Sequence, residues 1–174
     1  MYQKQACLKQ CGFQGGTEMA MIPKFRAWDR EKDRMIYPST TGVCFEMNDD
    51  GISVLDIDVD YPNDYGFPKI ASILMQSTTL KDKNGVEIFE GDIALITHKS
   101  TNYADTYWHS YVEVFRAKNG AYRIRGEHIY ETELYSNRKQ LTVAGNVYNS
   151  PELLKRDRFM TTTENPELLK EEQR

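Results

Sequence analysis

Closely spaced turn signals constrain this 174-residue chain more than any other feature of its sequence. Asparagine followed by glycine is typical of β-hairpins, because a type I′ turn needs positive φ at both central residues. Short strands separated by such turns predict a mainly β chain that forms a barrel or a sandwich. The signals are Asn48-Asp49-Asp50-Gly51, Tyr61-Pro62-Asn63-Asp64, Asn84-Gly85, Glu90-Gly91-Asp92 and Asn119-Gly120.

Strand-like runs fill the intervals between these signals. The eleven tyrosines agree with this interpretation, since aromatic residues suit the half-buried surface of a pleated sheet. A hydrophobic fraction of 40% provides enough apolar side chains for a core. The predicted strands are residues 24–28, 35–37, 53–61, 70–77, 86–89, 93–98, 111–118, 121–125 and 141–148.

Two copies of one six-residue pattern lie near the end of the chain, at residues 150–155 and 165–170. Each begins with a capping residue, Ser150 or Asn165, followed by Pro, Glu, Leu, Leu and Lys, which is typical of a helix start. We predict two short helices joined by the polar linker 156–164. Because such short helices are unstable alone in water, Leu153 and Leu154 are expected to pack on the domain.

Residues 1–18 show no clear hydrophobic period and are predicted to be a disordered leader. The codons permitted for Gln14-Gly15-Gly16 include a ribosome-binding sequence, which would put the native start at Met19 or Met21. An ordinary disordered N-terminus explains the same residues.

Composition narrows the classes of function. A net charge of −4 gives no general attraction to nucleic acid or anionic membranes, and no apolar run is long enough to cross a bilayer. The three cysteines lack the spacing of a secreted disulfide scaffold, and Cys7 and Cys11 have no nearby partners for a zinc site. We therefore expect a cytoplasmic protein without a cofactor.

Three carboxylates alternate with apolar residues at Asp56, Asp58 and Asp60. On a strand they would share one face, where hard divalent cations could bind oxygen ligands. Neighbouring carboxylates would be roughly 6.6 Å apart, which is too far to hold one ion tightly without a loop such as that of Asp64. The preferred interpretation is the solvated face of an amphipathic strand, so no metal site is expected.

A basic hairpin is the most distinctive constellation. If Asn119 and Gly120 form a two-residue turn, one face carries Arg116, Lys118, Arg123 and Arg125, with Arg116 opposite Arg123. The other face, with Phe115, Ala117, Tyr122 and Ile124, belongs to the core. Intramolecular or intersubunit acids are the favoured compensation for the like charges, and nucleic-acid phosphate is the alternative. A three-residue turn would change this register.

Other candidates for chemistry are weaker. His98, His109 and His128 follow no ligand spacing and are expected to be ordinary surface or interface residues. The aromatic cluster Tyr103, Tyr107, Trp108 and Tyr111 could stack on bases, but a β-protein core or an oligomer interface uses such residues more often. Neither a nucleophile elbow nor a phosphate-binding loop occurs in the sequence, so no enzymatic activity is expected.

Four blocks of the sequence resemble the YopX-like family of phage and prophage proteins, in the order expected for that family. The resemblance implies an SH3-like barrel in the C-terminal part, a bacterial host cytoplasm and no reaction to carry over. Trp28, Phe25 and Phe89 are interpreted as core residues, Gly85 and Gly91 as turn residues, and Asp92 as a turn cap. The blocks are Pro23-Lys24-Phe25-Arg26-Ala27-Trp28-Asp29, residues 74–85, residues 86–93, and residues 145–148 running into 151–154.

The predicted organisation is a leader at 1–18, an N-terminal β segment at 19–68, an SH3-like barrel with a closing helix at 69–155, and a polar tail with a second short helix at 156–174. The predicted function is a non-enzymatic phage or prophage accessory protein that binds a protein partner or itself. The alternative is a nucleic-acid-binding module that uses the basic hairpin, and no membrane association is expected.

Overall fold

The computed structural model describes residues 24–59 and 66–166, which divide into two compact units between Gln76 and Ser77. Strands dominate both units, so the prediction of a mainly β protein is confirmed. None of the helices in these ranges is long and apolar enough to span a membrane. The predicted leader 1–18, Asp60 and residues 167–170 of the second predicted helix lie outside the described residues.

The first unit contains β1 (Phe25–Asp29), β2 (Arg34–Ile36), β3 (Val43–Asn48), β4 (Gly51–Asp56) and the first half of β5 (Ser72–Lys81). β1 pairs antiparallel with both β2 and β5, and β3 pairs with β4 through the predicted Asp49-Asp50 turn. Because β1 lies between two strands, most of its residues are buried. The core consists of Ala27, Ile36, Val43 and Val54.

The second unit contains the rest of β5, β6 (Glu87–Phe89), β7 (Asp92–Lys99), β8 (Tyr107–Arg116), β9 (Tyr122–Gly126), β10 (Ile129–Glu133), α1 (Leu134–Asn137), a 3₁₀-helix (Arg138–Gln140), β11 (Leu141–Asn146), a second 3₁₀-helix (Pro151–Lys155) and β12 (Phe159–Thr161). The large sheet has the order β10-β9-β8-β7-β11, and β12 also pairs with β8. Its core consists of Ile88, Ala94, Ile96, Val112, Val114, Ile124, Leu134 and Leu141.

Both Asn-Gly turns are three-residue loops of the sequence Lys-Asn-Gly, and the predicted two-residue turn is wrong. In one, the amide of Asp82 donates to the carbonyl of Val86 (2.9 Å). In the other, the amide of Ala117 donates to the carbonyl of Ala121 (2.9 Å). Gly85 and Gly120 have φ of 82° and 85°, the left-handed conformation that closes such a loop.

The acidic residues of the family-like blocks hold turns together. Asp82 is buried, and its carboxylate accepts hydrogen bonds from the amides of Asn84 (2.8 Å), Val86 (2.9 Å) and Val143 (2.9 Å). Asp92 accepts from the amide of Phe89 (2.8 Å), which confirms the predicted turn cap. These carboxylates therefore satisfy buried backbone donors.

The interpretation of Trp28 and Phe89 as core residues and of Gly91 as a turn residue is also borne out, whereas Phe25 is not a core residue. Trp28 and Phe89 are buried and Phe25 is half-buried. Gly91 has φ of 80°. Its amide donates to the carbonyl of Val114 and its carbonyl accepts from Val147. Gly91 is thus a turn residue that two neighbouring segments contact through the backbone.

The C-terminal region differs from its prediction in three respects. Residues 151–155 form a 3₁₀-helix, and Ser150 makes no side-chain capping bond there because its hydroxyl donates to Asn149 Oδ1 (2.9 Å). The predicted linker 156–164 contains β12. The expected packing is found for Leu153, which is buried, and the 3₁₀-helix contacts β8.

Candidate functional site

The edge of β8 that faces away from β7 is shared by two strands. β7 pairs with β8 from Tyr107 to Glu113. On the other edge, β9 pairs with residues 113–116 only, and β12 pairs with residues 107–109. Because β9 is half the length of the ten-residue β8, the first half of that edge is left for another strand. We call residues 107–111 of this edge the β8 seat, and residues 156–166 the tail segment.

Phe159 and Thr161 attach the tail segment to one face of the seat. The ring of Phe159 stacks on His109, with centroids 4.9 Å apart and an interplanar angle of 25°, and lies 6.5 Å from the ring of Tyr111. Thr161 Oγ1 lies 2.7 Å from His109 Nε2. Phe159 and Thr161 point to the same side, as residues two apart on a strand must.

Two arginines of the tail segment lie over aromatic rings of the seat. The guanidinium carbon of Arg158 is 4.0 Å from the centroid of Trp108, and that of Arg156 is 5.9 Å from the centroid of Tyr111. A cation over an aromatic face is attracted by the negative potential of the ring. Of the aromatic cluster predicted from the sequence, Tyr107, Trp108 and Tyr111 lie on β8, whereas Tyr103 is exposed. Arginines of the tail segment lie over Trp108 and Tyr111.

His109 lies at the centre of these contacts and is fully buried. The hydroxyl of Thr161 donates to the carbonyl of Thr163 (2.6 Å), so it accepts from His109 Nε2. His109 Nδ1 is then the acceptor for the hydroxyl of Thr97 at 3.0 Å. Burial lowers the pKa of His109, the nearby positive charge of Lys83 lowers it further, and the backbone of Thr163 opposes the shift. The neutral imidazole is therefore the form that fits the closed tail.

The end of the tail segment is attached to the first Lys-Asn-Gly loop. Lys83 Nζ donates to Asn165 Oδ1 at 2.6 Å and lies 3.8 Å from a carboxylate oxygen of Glu164. The side-chain oxygen of Asn165, which the sequence pattern assigns to a helix cap, makes this contact. Near the other end of the segment, burial and the charge of Arg158 lower the pKa of His98. Residues 156–165 thus contact the second unit along their whole length.

Sequence reasoning missed β12 because residues 156–164 look polar as a group. The run Phe159-Met160-Thr161-Thr162-Thr163 combines an aromatic residue with three β-branched ones, which is a strand signal. The sequence interpretation also assigned His109 to a surface or an interface, whereas the residue is buried within the fold. No local pattern distinguishes that histidine from His128, which is exposed.

The predicted face of four basic residues does not exist in the observed register. Since the loop has three residues, Arg116 faces Tyr122 and Phe115 faces Arg123. Arg116 thus lies on the side of the core pair Val114 and Ile124, with its guanidinium 6.0 Å from the ring of Tyr122. Lys118 is in the loop itself.

Arg123 and Arg125 lie together on the opposite face, where carboxylates accompany both. Arg123 Nη1 is 2.8 Å from Glu131, and Arg125 Nη2 is 3.0 Å from Glu113. The guanidinium carbon of Arg125 is also 4.2 Å from the ring of Phe115. Because Arg116 does not face Arg123, the like-charge pair that acids were expected to compensate does not arise. A role in binding polyanions or a partner stays a prediction.

The acidic strand ends earlier than predicted. Asp56 is the last residue of β4, and its carboxylate accepts a hydrogen bond from the amide of Asp58 (3.1 Å). Because the strand ends at Asp56, Asp56 and Asp58 do not alternate along one strand. Within residues 24–59 and 66–166, no group of three or more acidic, histidine or cysteine side chains is placed to hold a metal ion.

Comparison with known proteins identifies the family of the chain. The model of a family described as YopX protein matches residues 24–155. The chain belongs to the YopX family. A similar solved structure is that of protein EF1440 from Enterococcus faecalis, which is 28% identical, with 76% of this chain and 98% of that chain covered and a TM-score of 0.49. None of the curated proteins matches the chain.

The YopX match includes the whole of the β8 seat but not the segment that occupies it. The matched residues end at Lys155, and the tail segment starts at the next residue. Asp82 and Asp92, which hold the turns, lie within the YopX match, as do all the core residues of both units. The contacts of His109 with Phe159 and Thr161 therefore join a YopX residue to residues beyond the match.

Proposed function

We propose that this YopX-family protein is a non-enzymatic accessory protein of a phage or prophage that binds an extended protein segment at the β8 seat. One observation carries the proposal: the seat already holds such a segment, β12, through both backbone pairing and side-chain contacts. Strand addition at an exposed sheet edge is a common way of recognising peptides, in which backbone hydrogen bonds contribute affinity and alternate side chains contribute specificity.

The order of elements in the second unit supports an SH3-like barrel as the carrier of this site. β7, β8, β9 and β10 follow one another as an antiparallel meander, α1 and a 3₁₀-helix come next, and β11 returns to pair with β7. We infer that this sheet curls into a barrel of this class. Small barrels keep their exposed edges short, and an edge that is left open is available for a partner strand.

The contacts of β12 define the ligand that the seat would select. It is an extended segment in which arginine precedes an aromatic residue and threonine follows two positions later, as in Arg158-Phe159-Met160-Thr161. The arginine lies over Trp108, the aromatic ring stacks on His109, and the threonine hydroxyl accepts from His109. Met160, whose side chain is 49% exposed, contributes least to this selection.

We infer a non-enzymatic role because the buried polar groups are engaged in hydrogen bonds within the fold. His109 is hydrogen-bonded on both ring nitrogens by threonine hydroxyls, and Asp82 accepts three backbone amides. Asp92 accepts a hydrogen bond from the backbone amide of Phe89. These groups are thus engaged in holding strands and turns, the role expected of buried polar residues in a binding protein.

A peptide with the sequence of residues 156–166 tests the proposal. Phe159→Ala in the full chain weakens the closed tail, so a fluorescent peptide should bind this variant about tenfold more tightly than the wild type, because less of the seat is occupied. Fluorescence anisotropy measures both affinities. The matched variant Met160→Ala should behave like the wild type.

A peptide in which alanine replaces the phenylalanine is the matched ligand, and it should bind weakly to every variant. Equal binding of the two peptides, or no binding of the original peptide to the Phe159→Ala chain, would contradict a strand-binding role for the seat.

A further inference from the structure

We infer that the partner at the β8 seat is a second copy of this chain, whose tail segment takes the place of the seat's own. This inference rests on the proposed function and names its ligand. Two copies would exchange tails reciprocally, so that each seat holds the β12 of the other copy. Such an assembly is closed by two-fold symmetry and leaves neither edge open.

The chemistry of the seat argues for this occupant. Every contact that holds β12 within one chain re-forms between two chains: Arg158 over Trp108, Phe159 on His109, and Lys83 with Asn165. A second copy therefore matches the ligand pattern in full. Its tail also reaches from Trp108 to Lys83, since Arg158 lies over the first and Asn165 contacts the second.

The small size of β12 makes release possible. It pairs with β8 over three residues, and Phe159 and Thr161 are only partly buried. Short segments with few buried contacts open at a much lower free-energy cost than the core. An open tail would expose the edge of Tyr107, Trp108 and His109, and an unpaired edge of this kind favours pairing with another strand.

The hinge of the exchange lies in the short link between two anchored elements. Leu153 is buried and fixes the second 3₁₀-helix, while β12 begins at Phe159. Arg156 already has extended backbone, with φ of −77° and ψ of 135°. Only Arg156 and Asp157 need to change conformation for the tail to reach a neighbour, and short hinges of this kind favour exchange over closure.

Hinge length is the variable that tests this inference, because the β12 contacts are the same in the closed and the exchanged forms. Deleting Asp157 should increase the dimeric fraction, and inserting Gly-Ser-Gly-Ser after Asp157 should decrease it. Analytical ultracentrifugation of the full chain over a range of concentrations measures both. The same insertion after Asn102, in the exposed β7–β8 loop, should leave the dimeric fraction of the wild type unchanged.

The position of the tail in the dimer is read by NMR on a mixture of labelled and unlabelled chains. Exchange predicts intermolecular contacts between the Phe159 ring of one copy and the His109 ring of the other. A chain that stays monomeric even without Asp157, or a dimer lacking these contacts, would overturn the inference. If the free peptide still binds the Phe159→Ala chain in that case, the proposed function stands and only the identity of the partner fails.

Discussion

At the scale of single residues, Asp82 joins segments that are distant in sequence. Its two carboxylate oxygens accept amides from the loop that follows it and from Val143 in β11, while Lys83 next to it holds Asn165. An aspartate suits this position because an ionised carboxylate accepts several hydrogen bonds at once and has no proton to place. The Lys-Asn-Gly loop is thereby held in its three-residue form.

Replacing Asp82 by alanine should lower the free energy of unfolding of the second unit by about 2–4 kcal/mol, because buried backbone donors lose their acceptor. Urea denaturation followed by tryptophan fluorescence checks this value. Glu127→Ala, at an exposed position, is the control and should change stability little. A loss for Asp82→Ala no larger than that of the control would mean that the three hydrogen bonds contribute nothing to stability.

At the scale of elements, β12 is held by a histidine whose neutral form the closed tail favours. The pKa of His109 is lowered mainly by burial and then by Lys83, and that of His98 by burial and Arg158. Opening the tail exposes His109 and removes Arg158 from His98, so we expect the pKa of each histidine to rise toward its ordinary value. The closed form thus binds fewer protons than the open form at mildly acidic pH. Glu164, an acidic residue of the tail segment that lies 3.8 Å from Lys83, partly offsets the positive charge of Lys83.

Acidification should therefore open the tail. The stability of the closed form is fully present above about pH 6.5 and is lost as the pH falls below it, because the open form then takes up protons that the closed form excludes. Amide exchange at Met160 and Thr161, corrected for the intrinsic rate, should show more opening at about pH 5.5 than at about pH 7.5.

The matched variant for this pH effect is His109→Gln, which keeps an N–H donor but does not titrate. Its pH dependence should be smaller than that of the wild type, with the remainder due to His98. An opening equilibrium that is independent of pH in the wild type would argue against this role of the two histidines.

At the scale of the whole molecule, the chain has two separate cores. The cluster around Ile36 and Val54 belongs to the first unit, and the cluster around Ile124 and Leu141 belongs to the second. The sequence has two tryptophans, and each unit contains one of them, Trp28 in the first and Trp108 in the second. Each unit thus has its own fluorescent reporter.

Core substitutions should act on the unit that contains them. Ile36→Ala is expected to cost about 2–5 kcal/mol through lost burial and a cavity. In single-tryptophan variants, it should shift the denaturation midpoint reported by Trp28 more than the one reported by Trp108. Ile124→Ala is the matched substitution and should do the opposite. Equal shifts of both reporters for both substitutions would mean that the units unfold as one cooperative body.

Local features of the sequence determined much of this fold. The β character, most of the strands, the cap at Asp92, the turn at Gly91 and the family resemblance all follow from residues that are neighbours in the chain. Turn chemistry and alternation act over a few residues, so one sequence reveals them.

The tertiary structure alone decided the register of the hairpin and the place of the tail. Lys-Asn-Gly is compatible with two-residue and three-residue turns, and packing of Val114 and Ile124 in the core selects the register that separates Arg116 from Arg123. The β12 strand forms because β9 leaves half of one edge of β8 uncovered, and its bond to His109 joins residues that are 52 positions apart. Contacts at such separations depend on which edge the rest of the sheet leaves open, and no local pattern contains that information.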